Sequence, residues 1–369
     1  LPKDRPVSDG LTGNPWHGAW GGGNQFGLSL SNFLRKKGCE VTHNLKNPDL
    51  DIIILTEPRT NLESSAYSHE NILDYLNYRN PRAIVVHRIN ECDERKGTKG
   101  LNELLIEANK YADHTVFVAS WLQKLFLDCG IECESQSVIL NGSDSTLFNS
   151  NRYSKWDYQF PIKIISHHWG GNWLKGFDIY EKLDKMLGQP KWKERIKYMY
   201  VGNLPEGFQF RNTNYIPPKH GKELSDILSS SHVYLTASRN EPGGHHQNEG
   251  ANCGLPLLYI ESGCMPEYCN GFGISFNQVN FEDKLHEMIN TYDHWADKMP
   301  NYPHTAEKMC SEYFSLFQEL LDSRKEIISR RRPIPRPSLT ERTAYHLNDL
   351  TVGMKRTARK TARKIMGKV

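Results

Sequence analysis

The stretch Glu241-Pro242-Gly243-Gly244-His245-His246-Gln247-Asn248-Glu249-Gly250-Ala251-Asn252-Cys253-Gly254-Leu255-Pro256 joins a carboxylate pair, a glycine-bearing loop and a helix stop. Glu241 and Glu249, eight positions apart, flank a loop that opens a helix near Gln247. Gly254-Leu255-Pro256 closes that helix and starts the next strand. Two carboxylates so placed can accept hydrogen bonds from several hydroxyls, and ionised acceptors make the stronger bonds. Left unpaired in a buried site, each such group would cost about 1–3 kcal/mol. The pair therefore points to a ligand rich in hydroxyls, as a sugar or a ribose is. The plainer alternative is that Glu249 serves only the N-terminus of its own helix.

Working outward, Glu261-Ser262-Gly263-Cys264-Met265-Pro266-Glu267 follows the next strand and enters a short helix, an arrangement that can form an anion-binding nest. Upstream, His167-His168-Trp169-Gly170-Gly171-Asn172-Trp173-Leu174-Lys175-Gly176-Phe177-Asp178 follows the apolar run 162–165 and precedes an amphipathic helix. A lysine on a glycine-bearing loop at a strand end is placed to neutralise phosphate, opposite the nest at 263–265. Trp169 and Trp173 either wall a pocket or pack between sheet and helix. Far upstream, Trp20-Gly21-Gly22-Gly23-Asn24-Gln25-Phe26 leads into a helical stretch. Consecutive glycines can bring the backbone against a ligand, with a helix N-terminus aimed at negative charge, or can simply make a tight connection.

Strand-length apolar runs at 51–55, 83–87, 115–119, 137–140, 162–167, 196–201, 232–236, 256–260 and 273–276 alternate with helical patterns. Short buried strands separated by helices imply α/β architecture with parallel sheets covered on both faces. A chain of 369 residues suits two such domains. The polar, non-periodic segment 149–161 divides them, giving expected domains 1–150 and 151–302, a C-terminal helix at 303–330 packing back toward the first domain, and a basic tail at 331–369. Residues 1–20 contain no hydrophobic run, so the first strand lies upstream or is unconventional.

Hydrophobic content of 38% and charged content of 24% are globular values, and no apolar run approaches eighteen residues. Eight cysteines without a CxxC pair suit reduced thiols, so a cytoplasmic location is expected. Residues 330–369 hold twelve Lys/Arg against two acids, whereas the remainder has 34 basic and 41 acidic residues. Such a tail suits peripheral contact with an anionic membrane or simple solvation. With Tyr345 as its only aromatic residue, it offers little for stacking nucleic-acid bases. The pairs His167-His168 and His245-His246 lack neighbouring ligands at metal spacing, and Asp49-Leu50-Asp51 lies in the N-terminal half, away from the loops at 167–178 and 241–267, so no metal is expected.

The order of these segments resembles the retaining GT-B glycosyltransferases of the family 4 type, a group that includes sucrose-phosphate synthases and bacterial mannosyl- and glucosyltransferases. The likeness runs from Gly21 to about Phe317. It takes in the N-terminal glycine loop, Val116-Phe117-Val118-Ala119-Ser120-Trp121-Leu122, Val138-Ile139-Leu140-Asn141-Gly142-Ser143-Asp144, Lys175-Gly176 and Tyr200-Val201-Gly202-Asn203. The EX7E pair Glu241/Glu249, Gly254-Leu255-Pro256 and Pro266-Glu267 complete it.

The resemblance implies two Rossmann-like domains facing across a cleft. It also implies transfer of a hexose, with retention, from a UDP- or GDP-sugar to a hydroxyl of a glycan, a lipid-linked or another acceptor. Lys175 would contact the diphosphate, Glu241 the transferred sugar and Glu249 the ribose. Amides around Gly263, Cys264 and Met265 would cradle phosphate, Gly22 and Gly23 would close the cleft, and His87 would face the reacting sugar. The chain departs from the pattern at Gly170, where an arginine is common, and at Cys264, where a second glycine is usual. Arg239, His168 and Asn172 are the candidates to supply the missing charge or hydrogen bond. No cofactor is implied beyond the donor. The alternative is a catalytically silent GT-B protein that binds sugar nucleotides or glycans.

Overall fold

The computed structural model describes residues 8–11, 22–59, 62, 65–332 and 340. They form two six-stranded sheets in which every pairing is parallel. The first contains β1 (Ser8–Leu11), β2 (Glu40–Thr42), β3 (Ile52–Leu55), β4 (Ile84–Ile89), β5 (His114–Phe117) and β6 (Gln136–Val138), in the order β2-β1-β3-β4-β5-β6. The second contains β7 (Ile162–His168), β8 (Ile196–Gly202), β9 (Asn214–Ile216), β10 (Val233–Thr236), β11 (Leu257–Ile260) and β12 (Gly273–Phe276), in the order β12-β11-β10-β7-β8-β9.

Strands such as β3, Ile-Ile-Ile-Leu, are buried at every position because helices cover both faces. Strand β1 is unconventional. It reads Ser-Asp-Gly-Leu, with one aliphatic residue, yet it pairs on both sides, Asp9 opposite Val41 and Gly10 opposite Ile53. Its place is set by the ladders of its neighbours. Strands β2 and β9 have three residues each, too few to carry a periodic signal.

Each sheet reverses its winding once, between β1 and β3 and between β7 and β10. Ligands of such sheets bind beyond the carboxyl ends of the strands at these points. The two domains are joined by one continuous apolar cluster, in which Phe117, Val118 and Leu122 pack with Val201, Leu255 and Tyr268. Tyr268 adds a bond from its hydroxyl to the Val118 carbonyl at 2.7 Å and receives the Asn141 amide at 2.6 Å. Glu267 caps the helix Ser120–Asp128 of the first domain, accepting from the Ser120 amide and hydroxyl, both at 2.7 Å.

The helix Ala306–Asp322 crosses back to pack on the helix Gly22–Lys36, with Tyr313 edge-on to Phe26 at 5.2 Å. Beyond it the chain is clamped to the first domain. Arg324 pairs with Asp51 at 2.5 Å, and Arg331 grips Asp113 through two bonds of 2.8 and 2.6 Å. Arg331 also donates to the Pro81 and Ala83 carbonyls. The body therefore runs to Arg332, whereas the tail was expected to start at 331. The remainder of the basic tail lies outside the described residues, apart from Thr340. Among the described residues no helix is long and apolar enough to cross a membrane. All eight cysteines are free.

Arg331→Ala strands the Asp113 carboxylate, whose side chain is 2% exposed, without its cation. Breaking one side of a buried pair costs about 3–5 kcal/mol. Thermal unfolding should show a melting temperature lowered by several degrees, while Arg330→Ala, which removes an exposed pair with Glu326, should leave it unchanged.

Candidate active site

A cavity of about 640 Å³ opens between the domains and takes its walls from both. The second domain contributes the ends of β7 and β8, Lys175 of the turn Trp173–Lys175, the loop from Glu241 and the start of the helix His246–Asn252. The first contributes Gly23–Gln25, the end of β4, the loop after it and Asn141. Lys175, Glu241, Glu249, Asn172 and Gly23 all line this cavity, so five of the eleven site residues singled out in sequence converge on it.

Lys175 arrives there because its turn ends at Gly176, whose φ of +97° and contact with Ala237 leave no room for a side chain. The Lys175 ammonium lies 2.5 Å from Glu241 Oε2, both side chains nearly buried. Glu241 follows Asn240, which sits at φ +50°, a conformation asparagine tolerates better than most residues. The Ser238 hydroxyl donates to the same carboxylate at 2.7 Å. Gly263 fits against the Glu241 backbone at φ +58°, where a Cβ would come within 2.5 Å of its nitrogen. The third contact comes from the other domain. Arg95 places Nε 3.4 Å from Glu241 Oε1 while Nη1 binds Glu91 at 2.6 Å. Burial opposes the Glu241 charge, but Lys175 and Arg95 outweigh it and hold the carboxyl well below the usual carboxylate range.

Glu249 lies in the first turn of the helix His246–Asn252. His167 Nε2 is 2.7 Å from Glu249 Oε2, and His167 Nδ1 is 3.1 Å from the Tyr234 hydroxyl. His168 bonds Tyr180 at 2.7 Å, and His246 bonds Thr236 at 2.9 Å. The paired histidines thus act as polar struts of the wall. Among the described residues no group of three or more His, Cys, Asp or Glu could hold a metal ion.

Several expected positions fall elsewhere. His87 is fully buried, with Nδ1 bonded to Asn109 at 2.9 Å, and does not reach the cavity. Its neighbour Arg88 lines the cavity instead, because successive strand residues face opposite sides. Arg239 pairs with Asp178 away from the cavity. Gly263, Cys264 and Met265 do not line it either: the Cys264 amide donates to the Glu241 carbonyl at 2.9 Å, and the Met265 amide to Ser262 at 3.2 Å. This segment positions Glu241 from behind. Gly22 is the first residue of its helix, and Trp20 and Gly21 lie outside the described residues. Of the tryptophans, Trp169 lines the cavity mouth, half exposed, while Trp173 packs edge-on against Phe177 and Phe208.

Burial holds His87, His114, His232, His245 and His304 down at about 4, and His168 and His246 well below their ordinary value. The unfolded chain takes up these protons near pH 6.5, and the folded chain does not. Stability conferred by the neutral rings is therefore full above about pH 6.5 and is lost as pH falls toward 4. Scanning fluorimetry should give a flat melting temperature above pH 7 and a steady fall below 6.5. A flat profile down to pH 5 would contradict this.

No family model matches the chain, and no curated protein matches it. Solved structures do. A glycosyltransferase from Rickettsia africae ESF-5 superposes with a TM-score of 0.61 at 13% identity, covering 86% of this chain and 99% of the other. Sucrose-phosphate synthase from Thermosynechococcus elongatus gives 0.57 at 13% identity, over 86% of this chain and 100% of its own. HepE of Anabaena, in complex with UDP and glucose, gives 0.56 at 14% identity, over 87% of this chain and 100% of its own. With the two parallel sheets and the cleft between them, these likenesses identify the fold of the chain as that of the GT-B glycosyltransferases.

Proposed function

We propose that the chain is a retaining glycosyltransferase that moves a hexose from a UDP- or GDP-sugar to a hydroxyl of a glycan, a lipid-linked or another acceptor. The observation that carries this reading is the convergence of Glu241, Glu249 and Lys175 on one interdomain cavity. Its volume of about 640 Å³ lies in the range of pockets that take ligands of nucleotide-sugar size. The complex of HepE with UDP and glucose supports a donor of this class on the same fold.

In this reading Glu249 accepts the ribose hydroxyls and Glu241 those of the transferred sugar, with Asn172 beside them and Gly22 and Gly23 closing the cleft from the first domain. As the glycosidic bond breaks, negative charge develops on the departing diphosphate. Lys175 and Arg95, already held at the site by Glu241, supply preorganised positive charge to it. No side chain is assigned as a covalent nucleophile. Attack comes from the face of the leaving group, whose phosphate takes the acceptor proton. The basic tail would hold the enzyme at an anionic membrane surface.

A thermal-shift panel of UDP-, GDP- and ADP-sugars on the full chain tests the reading. One nucleotide class should raise the melting temperature, and the shift should persist in EDTA because the charge is met by side chains. No shift with any of them would exclude donor binding.

A further inference from the structure

Arg88 lines the cavity yet is only 1% exposed. Its guanidinium lies 3.8 Å from the Phe26 ring centroid, Nη2 donates to Asn141 Oδ1 at 2.8 Å, and Nε has no partner. Among the described residues no carboxylate pairs with it. The neighbouring cations of the cleft differ in this respect: Lys175 faces Glu241, Arg95 faces Glu91 and Glu241, Lys96 faces Glu91, and Lys219 faces Glu223. Burial acts most strongly on Arg88 and disfavours its charge, and the groups that favour the charge are the phenols Tyr313 and Tyr268. An arginine cannot shed its proton in a protein, so a buried one without an anion is a standing destabilisation. Such a charge is best compensated by an anion that arrives with a ligand.

The surroundings say where that anion would sit. Asn141, oriented by Arg88, donates to the Gly243 carbonyl at 2.6 Å, two residues beyond Glu241. His245 also lines the cavity, and neither of its ring nitrogens has a partner. Glu249 and Lys175, assigned above to ribose and diphosphate, belong to the second domain, whereas Arg88 stands on the first. We propose that Arg88 binds an anionic group, a phosphate or a carboxylate, carried by the acceptor next to its reacting hydroxyl. This rests on the donor reading given above. A carboxylate on the transferred sugar itself offers the same chemistry, and the experiment separates the two sources.

With the full chain saturated with UDP, glucose, glucose 6-phosphate and glucuronate are titrated by calorimetry. In a second arm, UDP-glucose and UDP-glucuronate are compared on the nucleotide-free chain. At least tenfold tighter binding of a charged sugar than of glucose, lost in Arg88→Gln and partly kept in Arg88→Lys while UDP still binds, assigns the anion to the acceptor. A preference confined to UDP-glucuronate and lost in Arg88→Gln keeps the anion site and moves it to the donor. Equal affinities for charged and neutral sugars in both arms would overturn the proposal, as would a preference that survives Arg88→Gln. The sugar comparison on the unmodified chain decides the matter even if Arg88→Gln does not fold. If UDP itself fails to bind, the donor reading falls, and titration of glucose 6-phosphate against glucose without nucleotide still decides Arg88.

Discussion

Glu241→Gln should lower turnover of the responding sugar nucleotide at least 100-fold while changing the affinity for the free nucleoside diphosphate only a few-fold. Glutamine keeps the shape of the side chain but removes the charge that lies 2.5 Å from Lys175 and 3.4 Å from Arg95. The sugar loses an ionised acceptor for its hydroxyls, and the two cations lose the anchor that aims them at the leaving group. Removing one preorganised group of this kind costs about 10²–10³-fold in rate. The free diphosphate carries no sugar, so its binding should feel the change least. The variant should also unfold more easily, since an ion pair broken on one side leaves Lys175, with 6% of its side chain exposed, uncompensated. Rates measured well below the melting temperature, with calorimetry of the diphosphate, separate these effects. Equal losses in nucleotide affinity and turnover would contradict a role for Glu241 in holding the sugar.

Glu249→Ala should act on the other half of the donor, weakening nucleotide binding about 100-fold. Hydrogen bonds to a charged group contribute about 1.5–3 kcal/mol each, and a ribose offers two hydroxyls. A double-mutant cycle isolates the contact. Removing the ribose hydroxyls from the nucleotide should be costly with the natural chain and nearly without effect in Glu249→Ala. If deoxygenated and natural nucleotides differ equally in both proteins, Glu249 does not hold the ribose. His167 bears on the size of the effect, because it already bonds Glu249 at 2.7 Å and fixes its orientation.

Much of this site could be read from the residues alone, because backbone geometry ties them together. A glycine-bearing turn after β7 must present Lys175 at the strand's carboxyl end, and the loop after β10 must present Glu241 beside it. What could not be read depends on facing and on distant partners. His87 and Arg88 are adjacent in β4, and a slip of one position turns a cleft residue into a core residue. Arg95 lies in the run Asp93-Glu94-Arg95-Lys96, which reads as a solvated loop, and only the docking of the domains brings it to Glu241. Arg239, a candidate for the charge missing at Gly170, is captured instead by Asp178. Ser8–Leu11 carries no apolar run to read, because its place is set by backbone ladders to β2 on one side and to the apolar β3 on the other.

The convergence of Glu241, Glu249 and Lys175 on a donor is tested most directly by a crystal structure of the full chain soaked with UDP. The expected electron density has the ribose hydroxyls within hydrogen-bond distance of the Glu249 carboxylate and the diphosphate on Lys175, with the terminal phosphate pointing toward Glu241. Nucleotide bound outside the interdomain cavity, or bound within it while touching neither Glu249 nor Lys175, would contradict it.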